Sequence, residues 1–340
     1  MLRLSLDPFF WGRNGDTAAA EIGQSAVFDW FKAWYPLAIA QELDPGIPHP
    51  VQLLGKSLVL WRPGGEKTWR VFEDRCPHRL APLSEGRIDA TDGSLFCNYH
   101  GWRFDGEGKC LNIPQLAGQQ TRISDSPRAC AVSYPTYEDE GLVWVWPSSG
   151  AEAHREAESW RQSNGGPGIT PLTGPDEHLV GGWYMRDVPV RWETVRENAF
   201  NDPSHDNVLH HGYFIANRSN AQNFLQLAET WKGHLVFHDI LDADIAIQAG
   251  VDRNRAQKKR VFTPSAADRQ PAAFHQWLRK HGGGAVPFEQ NPDAAVGVPG
   301  GQMQRELLLD RFLSHTVHCS ACRKAYNAMQ LLQKVALREA

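Results

Sequence analysis

The sequence predicts an α+β chain in two parts, a small all-β domain over residues 27–150 and an α+β unit over residues 178–281. Three observations predict it. Short apolar runs broken by Gly and Pro recur up to Trp146, the stretch 151–177 is polar and Gly/Pro-rich, and helical patterns dominate after Glu193. The strand runs include Val51-Gln-Leu-Leu, Ser57-Leu-Val-Leu-Trp61, Thr68-Trp-Arg-Val-Phe72, Gly93-Ser-Leu-Phe96, Trp102-Arg-Phe104 and Gly141-Leu-Val-Trp-Val-Trp146. An aromatic-rich stretch, Val27 to Leu43, leads into them, after an N-terminal extension over 1–26. In the second unit, strands are expected at Leu179–Met185 and Val188–Trp192. Helices are expected at Glu193–His211, Val236–Ala249 and Ser265–Lys280, the last opened by a Ser265/Asp268 capping box. A Gly/Pro-rich loop, 282–303, precedes a C-terminal helix over 304–340.

The net charge of −4 comes without a basic run, so nothing points to nucleic acid as a partner. No stretch of 18 apolar residues occurs that would span a membrane, and Pro8-Phe-Phe-Trp11 is too short for a secretory core. Six cysteines and 14 histidines point to metal chemistry, with Cys110 and Cys130 read as plain buried thiols.

Cys76-Pro-His78-Arg and Cys97-Asn-Tyr-His100-Gly-Trp102 set two Cys/His pairs on separate loops. Two thiolates on one iron and two imidazoles on the other describe a Rieske-type 2Fe-2S cluster, a one-electron relay. A Cys2His2 zinc site would favour CxxC or HxxxH spacing instead.

The run Cys76–Ile88, with Cys97–Asp105 and Ile113-Pro-Gln115, resembles the pheophorbide a oxygenase family. Its wider group takes in chlorophyllide a oxygenase and the Rieske subunit of the chloroplast inner-envelope translocon. The likeness covers residues 27–218 and returns at 236–280 and 305–325.

The second centre starts from Glu197-Asn-Ala-Phe-Asn-Asp202-Pro-Ser-His205 and His210. Two imidazoles and a carboxylate make the facial triad of a mononuclear non-haem Fe(II) site, with positions left open for dioxygen. Residues five apart lie about 140° apart on a regular α-helix, so His205 and His210 share a metal only where the helix is distorted, as by a π-bulge. His211 is read as a neighbour. The resemblance implies that the third ligand comes from the acidic segment Leu241-Asp242-Ala-Asp244, with Asp244 matching better than Asp242. It also implies that Asp202 hydrogen-bonds a cluster histidine of the next subunit of a homotrimer and so bridges the two metals.

Near the C-terminus, His315-Thr-Val-His318-Cys319-Ser-Ala-Cys322 carries a CxxC. The resemblance implies redox thiols at Cys319 and Cys322; a zinc site from these four residues and inert thiols are the other readings. The family likeness further implies a Rieske domain on a helix-grip catalytic domain, a chlorophyll-derived substrate, and a chloroplast or cyanobacterial setting with peripheral membrane contact. An external donor is required because no GxGxxG fingerprint is present, and ferredoxin is the expected one. Between His210 and Asp244 lie only 33 residues, enough for about three strands of 5–6 residues. The catalytic sheet is therefore expected to be shortened.

Overall fold

The computed structural model describes residues 27–116, 124, 126–139, 141–167, 177–180, 183–188, 190, 194, 214–217, 230–257, 269–283 and 304–339. These fall into two compact units: 27–167 with 281–283, and the described residues between 177 and 280 with 304–339.

The sheets of the first unit are all antiparallel and enclose two cores. Its strands are β1 (Tyr35–Ile39), β2 (His49–Leu53), β3 (Lys56–Trp61), β4 (Arg70–Glu73), β5 (Arg87–Ile88), β6 (Leu95–Phe96), β7 (Arg103–Phe104), β8 (Cys110–Asn112), β9 (Ser133–Tyr134), β10 (Thr136–Asp139) and β11 (Leu142–Val145). They pair in the orders β1-β11-β10, β2-β3-β4-β9 and β5-β6-β7-β8.

The unbroken apolar run in β3 has a simple cause. Side chains alternate across a strand, and here both faces are covered. Leu58 and Leu60 pack with Leu37, Trp69, Val143 and Val145, while Val59 and Trp61 pack with Phe72, Leu95, Trp102 and Phe104. Cys76 and Cys97 belong to the second of these cores, so the packing that stabilises the unit also fixes both cysteines.

Where the sequence reads as a linker from residue 151, the structure has a 15-residue helix, α1 (Gly150–Asn164), within the first unit. It ends at Gly165, left-handed at φ 72°, whose N–H closes onto the Arg161 carbonyl. Only Ala153 and Ala157 mark its buried face, and Trp34 Nε1 donates to the Ala157 carbonyl at 3.3 Å. Two alanines four apart in a polar stretch leave too small an apolar stripe to be seen by periodicity.

The second unit carries one antiparallel pair among the described residues, β12 (Glu177–Val180) with β13 (Phe214–Asn217). Its helices are α2 (Thr230–Ala256), α3 (Arg269–Lys280), α4 (Arg305–Leu308), α5 (Arg311–Ser314) and α6 (Ser320–Glu339), with a 3-10 turn at Thr316–His318. α2 extends the expected 236–249 helix at both ends. Val188, Val190, Ile245, Ala249 and Leu308 form its apolar core. Apart from Thr194, the expected helix over 193–211 lies outside the described residues, as does the Ser265/Asp268 cap. No helix among the described residues is long and apolar enough to cross a membrane.

Candidate metal centres

The two Cys/His loops of the first unit share one backbone plan. In the first, Cys76 N–H donates to the Ala81 carbonyl at 2.8 Å and Leu80 N–H to the Cys76 carbonyl at 2.9 Å. In the second, Cys97 N–H donates to the Trp102 carbonyl and Gly101 N–H to the Cys97 carbonyl, both at 2.9 Å. Each loop turns through a left-handed residue four positions after its cysteine, Leu80 at φ 60° and Gly101 at φ 79°. The motifs CxH and CxxH differ in histidine position, but the turns that present them are the same. The first loop follows β4 and the second joins β6 to β7.

The two loops bring their four side chains together. The His78 and His100 rings lie 4.7 Å apart, and His78 stacks on Trp102 at 4.9 Å with an interplanar angle of 7°. The two thiols face one another, and that pairing with burial pushes Cys76 up while the same pairing holds Cys97 down. Backbone N–H groups of His78 and Arg79 point at the first sulfur and those of Tyr99 and His100 at the second, so each loop is a nest for thiolate charge. His100 Nδ1 is buried and has no hydrogen-bond partner among the described residues, an arrangement that a metal ligated through that atom would satisfy. Two sulfurs, two imidazoles and an orphaned ring nitrogen fit a Cys2His2-ligated 2Fe-2S cluster.

Outer contacts hold the cradle rigid. Asp74 accepts from Ser84 N–H at 2.7 Å and Ser84 Oγ at 2.6 Å, and Gln115 Nε2 donates to the His100 carbonyl at 2.8 Å. Arg103 pairs with Asp89 and Asp92, both at 3.1 Å. Cys110 is buried, which pushes its thiol up to about 11; Cys130 is half-buried.

In the second unit, Asp202, His205 and His210 lie outside the described residues. The candidate carboxylates are both on α2. Asp242 lies 2.6 Å from Arg186 and 2.7 Å from Arg311, and Arg186 is 1% exposed, so this carboxylate is committed to two guanidiniums. Asp244, two residues on and about 200° round the helix, is half-buried beside the core residue Ile245.

The stripe of α2 that carries Asp242 begins with two histidines that sequence reasoning missed, His234 and His238, four residues apart. Both are buried, and their partners lie elsewhere in the same unit. Tyr184 Oη hydrogen-bonds His238 Nδ1 at 2.9 Å and stacks on His315 at 4.6 Å. His234 meets His315, Cys319 and Cys322, whose ligating atoms all lie within 4.8 Å of one another. Burial, followed by His315, pushes His234 down to about 4 and His238 to about 3. Of the four residues grouped in the sequence, His318 stands aside, 3.6 Å from Asp187. The spacing His234-x3-His238 on a helix was the available signal; it went unread because this buried stripe is built from His and Asp rather than apolar residues.

The model of the Rieske [2Fe-2S] domain matches residues 33–132, which contain both cluster loops, so the first unit is a Rieske domain. The chain belongs to the pheophorbide a oxygenase family of Rieske proteins. It is 31% identical to the chloroplastic pheophorbide a oxygenase of Oryza sativa subsp. japonica, over 94% of this chain and 78% of that protein. It is 30% identical to that of Arabidopsis thaliana, over 92% and 75%. Flavonoid 8-hydroxylase 2 of Ocimum basilicum is similar at 28% identity over 90% and 75%. The rice comparison spans 422 positions but uses 94% of 340 residues, so about 100 of them have no counterpart in this chain.

Proposed function

We propose that the protein is a ferredoxin-dependent Rieske oxygenase acting on a chlorophyll-type macrocycle such as pheophorbide a or chlorophyllide a. The observation that carries this reading is the paired-loop cradle, with His100 Nδ1 buried and unpartnered. Cys76, His78, Cys97 and His100 hold the 2Fe-2S cluster, which when bound supplies one-electron transfer at a potential raised by imidazole ligation. The backbone N–H groups aimed at the sulfurs stabilise thiolate charge, and Trp102 fixes the plane of His78. Both histidines are half-buried, flanked by Leu80 and Tyr99 at 63% and 60% exposure, so this edge of the domain is where electrons enter and leave. His205, His210 and Asp244 hold the mononuclear iron, whose chemistry when bound is dioxygen activation. Asp202 orients a cluster histidine of the neighbouring subunit in a homotrimer. The identities to pheophorbide a oxygenases support the substrate class and a chloroplast or cyanobacterial location.

A second reading is favoured by the gap of about 100 residues against the rice protein. With a shortened catalytic sheet the pocket beside the iron is open, Asp244 is poorly positioned, and the chain serves as a non-catalytic Rieske redox component. The flavonoid hydroxylase similarity adds a second substrate class, another aromatic, to be tried. Incubation of the full chain with reduced ferredoxin, 18O2 and a panel of chlorophyll derivatives and flavonoids, followed by mass spectrometry, decides among them. A macrocycle carrying 18O supports the oxygenase reading. A cluster that ferredoxin reduces and oxygen reoxidises, with no labelled product, supports the redox component. A labelled flavonoid alone moves the substrate.

A further inference from the structure

His234, His315, Cys319 and Cys322 reach one point from three chain segments: α2, the corner after α5, and the start of α6. They are 4%, 1%, 4% and 9% exposed. Burying two imidazoles and two thiols in one place is costly unless each finds a partner. Their four ligating atoms all lie within 4.8 Å of one another, and four of the six separations are short. His315 Nε2 lies 3.2 Å from His234 Nδ1 and 3.3 Å from Cys322 Sγ, and His234 Nδ1 lies 3.4 Å from Cys322 Sγ and 3.5 Å from Cys319 Sγ. A tetrahedral zinc with Zn–N of about 2.0 Å and Zn–S of about 2.3 Å has N–N edges of about 3.3 Å and N–S edges of about 3.5 Å. The observed separations match both edge types.

The surroundings set the ligand atoms. His315 Nδ1 donates to the Met185 carbonyl at 2.6 Å, so neutral His315 carries its lone pair on Nε2, the atom that faces the cluster. Tyr184 stacks flat on the His315 ring and meets His234 edge-on at 5.1 Å, which fixes both planes. Cys319 precedes and Cys322 lies in the first turn of the 20-residue helix α6, whose N-terminal N–H groups favour thiolates.

We propose that these four residues form a closed Cys2His2 site for one Zn2+ that ties α2 to the C-terminal helix. Four protein ligands leave no open position, as in structural rather than catalytic zinc sites. Binding displaces the two thiol protons to solvent, and the metal occupies the sulfurs that a reversible dithiol would need. The site is separate from the Rieske cradle and stands whether or not the proposed oxygenation does.

The test is metal analysis of the full chain, purified anaerobically. One zinc per chain is expected beside the cluster iron. Cys319→Ser with Cys322→Ser, and separately His234→Ala, should each lose that zinc and keep the Rieske EPR signal. His318→Ala should retain it, because His318 faces Asp187. Should the ligand variants fail to fold, zinc-edge X-ray absorption on the wild-type protein reads the site directly: two sulfurs at about 2.3 Å and two nitrogens at about 2.0 Å are expected. A fully iron-loaded protein without zinc, a zinc shell of nitrogen and oxygen only, or a Cys319–Cys322 disulfide in that preparation would overturn the proposal.

Discussion

The equivalence of the two cluster loops can be tested at their left-handed residues. Gly101→Ala places a Cβ 3.0 Å from Pro114 Cγ at a φ of 79°, which L-residues adopt at a cost. The left-handed conformation costs about 1 kcal/mol or somewhat more, and the contact adds roughly another 1 kcal/mol, for about 2 kcal/mol in total. Leu80→Gly runs the other way. Leu80 holds φ 60° with its side chain 63% exposed, so little packing is lost and the strain is relieved. Glycine's greater freedom in the unfolded chain returns much of the gain, leaving about 0.5 kcal/mol of stabilisation. Thermal bleaching of the cluster absorbance follows the first unit alone. At about 3 °C per kcal/mol for a unit of this size, Gly101→Ala should lower the bleaching midpoint by about 6 °C and Leu80→Gly should raise it by up to about 2 °C. A neutral Gly101→Ala, or Leu80→Gly as damaging as Gly101→Ala, would show that the two loops do not share a left-handed turn.

Three further outcomes are expected. His205→Ala and His210→Ala should keep the cluster spectrum but lose the mononuclear iron, while Asp202→Asn should keep both metals and slow inter-centre electron transfer in single-turnover kinetics. Asp244→Asn should lose the mononuclear iron, whereas Asp242→Asn should keep it and instead destabilise the second unit by about 3 kcal/mol in denaturant, since Arg186 is left buried without its counter-charge; the reverse pattern would exchange the two roles. Tyr134 is pushed up to about 12, first by burial and then by the Glu73 carboxylate, so its phenol stays neutral in the native state above the unfolded value near 10. The native state then binds the extra proton between pH 10 and 12, and first-unit stability should fall across that window, less steeply in Tyr134→Phe.

The Rieske domain was largely legible in the sequence. Its strands announce themselves because β3 and β11 are apolar on both faces, and its ligands because CxH and CxxH are fixed by the turns that carry them. What escaped notice was structure whose signal is weak or polar. α1 buries only two alanines, and the inner stripe of α2 is His234, His238, Asp242 and Asp252, each buried or half-buried and each paired with a distant residue. Periodicity reads apolar faces and cannot see a polar face that is satisfied by partners far away in sequence, such as Tyr184 and Arg311. For the same reason the CxxC drew in its sequence neighbour His318 rather than His234, which lies 85 residues before Cys319.

The proposed function rests on Cys76, His78, Cys97 and His100 holding a cluster with mixed sulfur and imidazole ligation. A potentiometric titration of the full chain, followed by EPR, tests it most directly. One cluster per chain is expected, with a reduction potential above roughly −150 mV that drops in His100→Cys or His78→Cys. A centre titrating near −400 mV, as for all-thiolate ligation, or a first unit that holds zinc and no iron, would contradict it.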